Sequence, residues 1–267
     1  MTPSDAPAPT IEIDGRTIGP GRPMYVVAEM SGNHNQDFDR AVRQIEVAKE
    51  AGADAVKIQT YTPDTITIDS DREHFRIEGT SWDGRNLYEL YGEAYTPWEW
   101  HPRLKSVADE IGLTLFSTPF DDSAVDFLEE IGVSAYKVAS FEIVDLPLIR
   151  RIARTGKPTI ISTGMSTLAE IAEAVETFRE AGGGQFALLK TTSAYPAEPD
   201  DMHLRTIPHL GSAFGVPSGL SDHTLSLTVP VAAAALGASI LEKHYTLARA
   251  DGGPDSEFSL EPDELKT

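Results

Sequence analysis

Two histidines stand at equivalent places in the stretch from Gly219 to Asp255. Leu220 leads into Ser221-Asp222-His223-Thr224, while Ile240, Glu242 and His244 alternate with Leu241 and Lys243 at the two-residue period of a strand. Between them, Leu225 to Gly237 is apolar, Ala-rich and long enough for a helix. Strand, helix, strand puts the two imidazoles at the same end of adjacent parallel strands, where they suit a metal ion or a shared anion. The alternative is two unrelated histidines, one capping a helix and one half-buried. The chain has no cysteine, which excludes thiolate sites and disulfides. Two imidazoles without thiolates suit Mn²⁺, Mg²⁺ or Co²⁺ held partly by water and substrate rather than a four-ligand structural zinc.

Other chemistry-bearing residues recur at the ends of short apolar runs. Glu29 closes one run, before Asn33, His34 and Asn35; Lys57 and Gln59 share a face of the next, and Ser117 and Thr118 end the third. Lys137 is followed by Ser140 and Glu142, then come Ser162 and Thr163, then Lys190 to Ser193 and Tyr195. Burying that many charges without partners is costly, so the set reads as a site rather than as scattered structural groups. Lys57 and Lys137, with hydroxyls from Thr118, Ser140, Ser162 and Ser221, make a set for phosphate and carboxylate. Glu29 and Glu142 are candidate acid/base or cation-stabilising carboxylates, because burial raises a carboxyl pKa. The residues alone reach a metal-assisted enzyme acting on a small phosphorylated or carboxylated substrate.

The elements that must position these residues follow a strand-then-helix rhythm. Strands are expected at Tyr25–Met30, Ala55–Thr60, Leu113–Thr118, Ala135–Ser140, Pro158–Thr163, Phe186–Thr191, Phe214–Leu220 and Ser239–Tyr245. Helices are expected over Asp37–Ala51, Pro97–Ile111, Asp121–Ile131, Leu146–Thr155, Thr167–Ala181 and Met202–Leu210, with a long polar insertion from Tyr61 to Tyr95. Eight such units in this length mean an α/β fold, a (β/α)8 TIM barrel over residues 24–267, with active residues at the C-terminal ends of the strands. An open doubly wound sheet would want a Gly-rich loop after its first strand, and Ser31-Gly32-Asn33-His34-Asn35 is not one. Residues 1–23 read as a Pro/Ala-rich tail and a β-hairpin, Ile11–Ile13 and Arg16–Ile18 around Asp14-Gly15, capping the bottom of the barrel.

Composition bounds the partners. The chain of 267 residues has 42 acidic against 22 basic residues, a formal charge of −20 that argues against nucleic acid or an anionic membrane. A small anionic substrate remains compatible, since a few lysines focused in a cleft suffice. No apolar run is long enough to span a membrane, and the N-terminus lacks the basic and apolar regions of a secretion signal, so a cytoplasmic protein is expected.

Seven segments in register, VVAEMSGNHNQ, GADAVKIQTY, FSTPFDDSAVDFLEE, YKVASFEI, ISTGMST, GLSDHT and LEKHYTL, resemble the sialic acid synthases, which condense phosphoenolpyruvate with an amino sugar. YTPDTIT, YTPWEWH, KTTSAYP and DGGPDSEFSLEPDE are similar to the pseudaminic acid branch, whose product decorates bacterial surface structures such as flagellin. The neuraminate branch usually shows Gly where Ser31 stands and Asn where Ser193 stands. The resemblance implies that Lys57, Thr118, Lys137, Ser140, Ser162, Ser193 and Ser221 bind phosphoenolpyruvate. It implies that His223 and His244 hold a divalent metal, that Glu142 and Glu29 are the catalytic acids, and that Gln59, Tyr195 and Asp255 contact the sugar. It also implies a small C-terminal antifreeze-like domain that this chain, ending at Thr267, does not contain, which bears on sugar capping and on a homodimer. Neuraminate or legionaminate synthesis is the alternative within the same reaction class. A barrel that binds phosphoenolpyruvate without turnover is the alternative outside it.

Four further features have bland readings. Trp98 and Trp100 pack against the insertion, with at most one facing the site; His34 caps a helix or meets substrate. His203 and His209 are expected on the surface, and Gly182–Gly184 as a connector.

Overall fold

The computed structural model describes residues 8–78 and 82–267. Among the described residues ten strands are formed: β1 (Ile11–Ile13), β2 (Arg16–Ile18), β3 (Tyr25–Glu29), β4 (Ala55–Thr60), β5 (Thr114–Pro119), β6 (Tyr136–Val138), β7 (Thr159–Ser162), β8 (Phe186–Thr191), β9 (Ser218–Asp222) and β10 (Ile240–His244). β3 to β10 close into an all-parallel barrel in sequence order, with β10 pairing back on β3, and helices cross between them. This is the (β/α)8 barrel expected. Residues 1–7, most of the expected disordered tail, lie outside the described residues.

Two-residue alternation sorts every barrel strand into an inward and an outward face. Outward residues such as Ala28, Val56, Leu115, Tyr136, Ile161 and Leu188 pack beneath the helices. Inward residues change character along the barrel axis. At the bottom, Tyr25, Val27, Ala55, Phe116, Ala135, Ile160, Ala187, Leu189 and Ile240 form one apolar cluster with Ile11, Ile13 and Ile18 of the hairpin. Asp14 and Gly15 both take positive φ, 47° and 75°, as the tight turn between right-twisted strands requires. The hairpin is therefore a plug: its isoleucines complete a core that the barrel leaves open below. Above this layer, the same inward positions carry Glu29, Lys57, Thr118, Lys137, Ser162, Thr191, Ser221 and Glu242, all buried.

Local hydrogen bonding decides where the sequence boundaries shift. The helix expected from Leu225 begins at Thr228, because the amides of Thr224, Ser226 and Thr228 donate to the side-chain oxygens of Asp222, Thr224 and Ser226 in a chain of short polar turns. The helix expected over Met202–Leu210 instead spans Thr206–Phe214 and stops at Gly215 (φ 68°), so β9 starts at Ser218 rather than Phe214. β6 ends at Val138, and Ser140 opens a 3₁₀ turn, Phe141–Val144, that carries Glu142. No helix among the described residues is long and apolar enough to cross a membrane.

The plug makes a direct prediction. Ile13→Ala removes a side chain that is 1 % exposed and leaves a cavity under the barrel, for an expected loss of about 2–5 kcal/mol in unfolding free energy. Urea titration followed by circular dichroism checks it, and the affinity for ligands at the opposite end is expected to stay the same.

Candidate active site

The charged layer is an ion-pair network across the barrel. Glu242 on β10 lies between two ammoniums, with Oε2 4.0 Å from Lys57 Nζ and Oε1 3.9 Å from Lys137 Nζ. Lys57 on β4 also pairs with Glu29 on β3 at 2.7 Å and donates to Thr118 Oγ1 at 3.2 Å. Lys137 on β6 donates to Ser162 Oγ at 2.7 Å and to the Val138 carbonyl at 2.9 Å. Ser221 Oγ donates to Glu242 Oε1 at 3.0 Å. Seven strands thus contribute to one buried cluster, in which each lysine has an anion beside it and a hydroxyl accepting from it.

Burial and partners set the proton affinities. Burial raises Glu29 to about 7 against the pull of Lys57, while Glu242 raises it further. Burial works on Glu242 in the same direction, yet Lys137 and Lys57 together outweigh it and hold that carboxyl below its ordinary range. Desolvation lowers Lys137 to about 8 despite Glu242. Lys57 is opposed by burial too, but Glu242 and Glu29 leave it above its ordinary value. Glu142 is raised to about 7, chiefly by burial, and its Oε2 finds no hydrogen-bond partner among the described residues.

Around the cluster stand hydroxyls with free capacity. Ser140 Oγ accepts from the Gly164 amide at 3.1 Å, and Ser193 Oγ is buried without a partner. A Cβ on Gly164 would sit 2.3 Å from Ser193 Oγ and 2.7 Å from Ser140 Oγ, so only glycine lets the loop after β7 close over both. Lysines, hydroxyls and a close backbone amide form a cradle suited to an anion.

His223 and His244 meet at the same end, with ring centroids 5.3 Å apart. His223 Nδ1 lies 2.8 Å from the Thr192 carbonyl; a carbonyl only accepts, so Nδ1 carries the proton and Nε2 keeps its lone pair. Burial holds His223 down to about 4 and His244 well below its ordinary value, so both rings are neutral. His244 Nδ1 is buried without a hydrogen bond, 3.7 Å from Asp255 Oδ2. Neutral imidazoles with an open nitrogen fit a divalent ion, and no group of three or more His, Asp or Glu among the described residues could hold one. The donor set therefore suits an ion whose remaining ligands are water and substrate.

An aromatic wall flanks the histidines. Tyr195 lies against His223 at 4.4 Å between centroids, and Phe258 contacts His244 at 5.0 Å and Tyr195 at 5.3 Å. Trp82, from the insertion after β4, packs on Tyr195 at 5.8 Å and donates from Nε1 to the Pro254 carbonyl. The sequence reading passed over Trp82 and Phe258, and it left Glu242 without a role. Lone aromatics within polar segments were their only signal. Trp98 instead stacks flat on Phe127 at 4.9 Å, and Trp100 packs edge-on against His34 and Phe38, so neither faces the site. His34 is structural, held by Thr96 and by the Gln36 amide.

The model of the NeuB family matches residues 44–267. The chain belongs to that family. It is thereby an enzyme of the phosphoenolpyruvate-dependent nonulosonic (sialic-type) acid synthases. It is 47% identical over 240 residues to the pseudaminic acid synthase of Helicobacter pylori, covering 90% of this chain and 71% of that protein. It is 36% identical to the N,N'-diacetyllegionaminic acid synthase of Legionella pneumophila, over 91% of this chain and 69% of that protein. The crystal structure of N-acetylneuraminic acid synthetase from Leptospira borgpetersenii in complex with citrate superposes with a TM-score of 0.86 at 34% identity, over 97% of this chain and 86% of that one.

The shared carboxylate yields a second prediction. Glu242→Gln leaves two buried ammoniums without their common anion, with an expected loss of about 3–5 kcal/mol in unfolding free energy. A loss below about 1 kcal/mol in urea titration, the size of an exposed pair, would contradict this network.

Proposed function

We propose that the chain is a pseudaminic acid synthase. It would condense phosphoenolpyruvate with 2,4-diacetamido-2,4,6-trideoxy-L-altrose and water, releasing pseudaminic acid and phosphate by C–O cleavage. The observation carrying this reading is the gap between 47% identity to the Helicobacter pylori pseudaminic acid synthase and 36% to the Legionella pneumophila legionaminic acid synthase, over nearly equal spans.

In this reading Lys57 and Lys137 bind the phosphate and carboxylate of phosphoenolpyruvate, with Thr118, Ser140, Ser162, Ser193 and Ser221 completing the cradle. Gln59, Tyr195 and Asp255 hold the open-chain sugar. His223 and His244 would hold a divalent ion, Mn²⁺, Mg²⁺ or Co²⁺, which supplies Lewis acidity toward the aldehyde when bound. The enol carbon of phosphoenolpyruvate attacks the aldehyde carbon, forming the C–C bond and leaving positive charge on the carbon that bears phosphate. The Glu142 carboxylate stabilises that charge and takes a proton from the water that adds there. Glu29 is the second catalytic carboxylate in this reading, and the former aldehyde oxygen takes its proton from solvent. Loss of phosphate from the tetrahedral adduct restores a carbonyl, and the two lysines neutralise the leaving group.

Phosphate release measured with each of three sugars, the diacetamido altrose, its legionaminic counterpart and N-acetylmannosamine, tests the assignment. The altrose sugar is expected to give the highest kcat/KM; a higher value for either other sugar overturns the pseudaminic reading.

The pH dependence of the same assay tests the roles. Glu142 must be ionised and sits at about 7, so kcat/KM is expected to rise as pH climbs through 7. Lys137 must be charged and sits at about 8, so it is expected to fall as pH climbs through 8. Lys137→Arg, which stays charged throughout, is expected to move the alkaline limb upward; a limb fixed near 8 in that variant would remove Lys137 from the role.

A further inference from the structure

Six described residues other than glycine take positive φ, and three of them, Ser31 (49°), Asn35 (54°) and Gln36 (55°), lie in the loop after β3. Side chains with a Cβ disfavour this region, and such residues persist where the surroundings hold them, often at functional sites. Asn35 and Gln36 have ordinary explanations, because their amides bond to carbonyls of neighbouring loops. Ser31 is different: it is 4 % exposed, and its hydroxyl makes no bond to its own loop.

That hydroxyl donates instead to Asp255 Oδ2, in the loop after β10. It lies 3.4 Å from Gln59 Nε2 on β4, which also donates to Glu29 Oε1 at 3.0 Å. The result is a directional chain: Gln59 gives its amide hydrogens to Glu29 and to Ser31, and Ser31 passes its own to Asp255. The two partners of Ser31 in this chain, Gln59 and Asp255, are the polar groups assigned to the sugar, on opposite sides of the loop after β3. Among the described residues Asp255 pairs with no lysine or arginine, only with His244 at 3.7 Å, and Ser31 is its one short side-chain donor. Close packing fixes where Ser31 stands. A Cβ on the next residue, Gly32, would come within 3.0 Å of Ala94 and Pro254, so the loop is wedged between the insertion and the Asp255 loop.

We propose that Ser31 is a positioning residue for the amino sugar: its hydroxyl, presented by a left-handed backbone, fixes Asp255 and Gln59 so that the outer carboxylate oxygen and the amide carbonyl face the substrate's N–H and O–H groups. This inference rests on the assignment of Asp255 and Gln59 to the sugar.

Steady-state kinetics on Ser31→Ala and Ser31→Gly test it, using whichever of the three sugars the wild type turns over best. Alanine keeps the strained Cβ and loses the hydroxyl, whereas glycine loses the hydroxyl and relieves the strain. Both are expected to raise KM for the sugar about tenfold or more, the size of a hydrogen bond to a charged group, with KM for phosphoenolpyruvate within about twofold. A double-mutant cycle with Asp255→Asn is expected to be non-additive, the second substitution costing little once the first is made. Wild-type sugar KM in Ser31→Gly would overturn the proposal, because backbone shape alone would then suffice. Equal losses toward both substrates would also overturn it, because they mark a collapsed site. Failure of the pseudaminic reading shows separately, as a different best sugar for the wild type.

Discussion

Glu242 sits between Lys57 and Lys137, inside a barrel whose lower half is sealed with isoleucine, tyrosine and phenylalanine. Two ammoniums could not stay charged at that depth alone, because desolvation works against both. The carboxylate they share lets them remain cations in a place where water screens little. Much of the catalytic face follows from this: Thr118, Ser162 and Ser221 hydrogen-bond to the lysines and to Glu242, and Glu29 supplies the second anion. The network is nearly neutral with both glutamates ionised. An incoming anion shifts that balance, and Glu29, near 7, is the member of the network able to take up a proton in response.

The chain as a whole carries a formal charge of −20, yet the buried lysine pair lies beside the cradle formed by Ser140, Ser193 and the loop at Gly164. Long-range repulsion and short-range attraction are thus separated in space. Inside the barrel the effective dielectric is low, and two lysines outweigh many surface carboxylates that salt screens within about 8–10 Å. In the proposed reading, the neutral histidine pair at the same rim would take a cationic ligand beside the anionic substrate.

The barrel was legible because parallel strands covered on both faces read as apolar runs, and because polar residues recurred at one end of each run. Lys57, Lys137, His223 and His244 stood out as candidates for the same reason: an ionisable residue at an inward strand position has few structural uses. Glu242 escaped a role because alternation placed it on the correct face but could not reveal two lysines on distant strands. Ser31 stood out only as a difference between branches, and its role stayed hidden because a backbone φ has no signature in a serine. Trp82 and Phe258 reach the site from loops, whose course depends on packing and not on a repeat. Boundaries shifted where Ser, Thr and Asp bond to nearby amides, as at Asp222–Thr228, since those bonds compete locally with the helix.

The claim at the centre of this account is that the buried lysine pair receives the anionic groups of phosphoenolpyruvate. Calorimetric titration of phosphoenolpyruvate into the wild type, Lys57→Met and Lys137→Met, each confirmed as folded by circular dichroism, tests it most directly. The account predicts affinity weaker by about 10–100-fold in each variant, as expected for loss of a charge-assisted contact. Affinities within about twofold of wild type in both variants would contradict it, since a shift that small is far below the worth of such a contact.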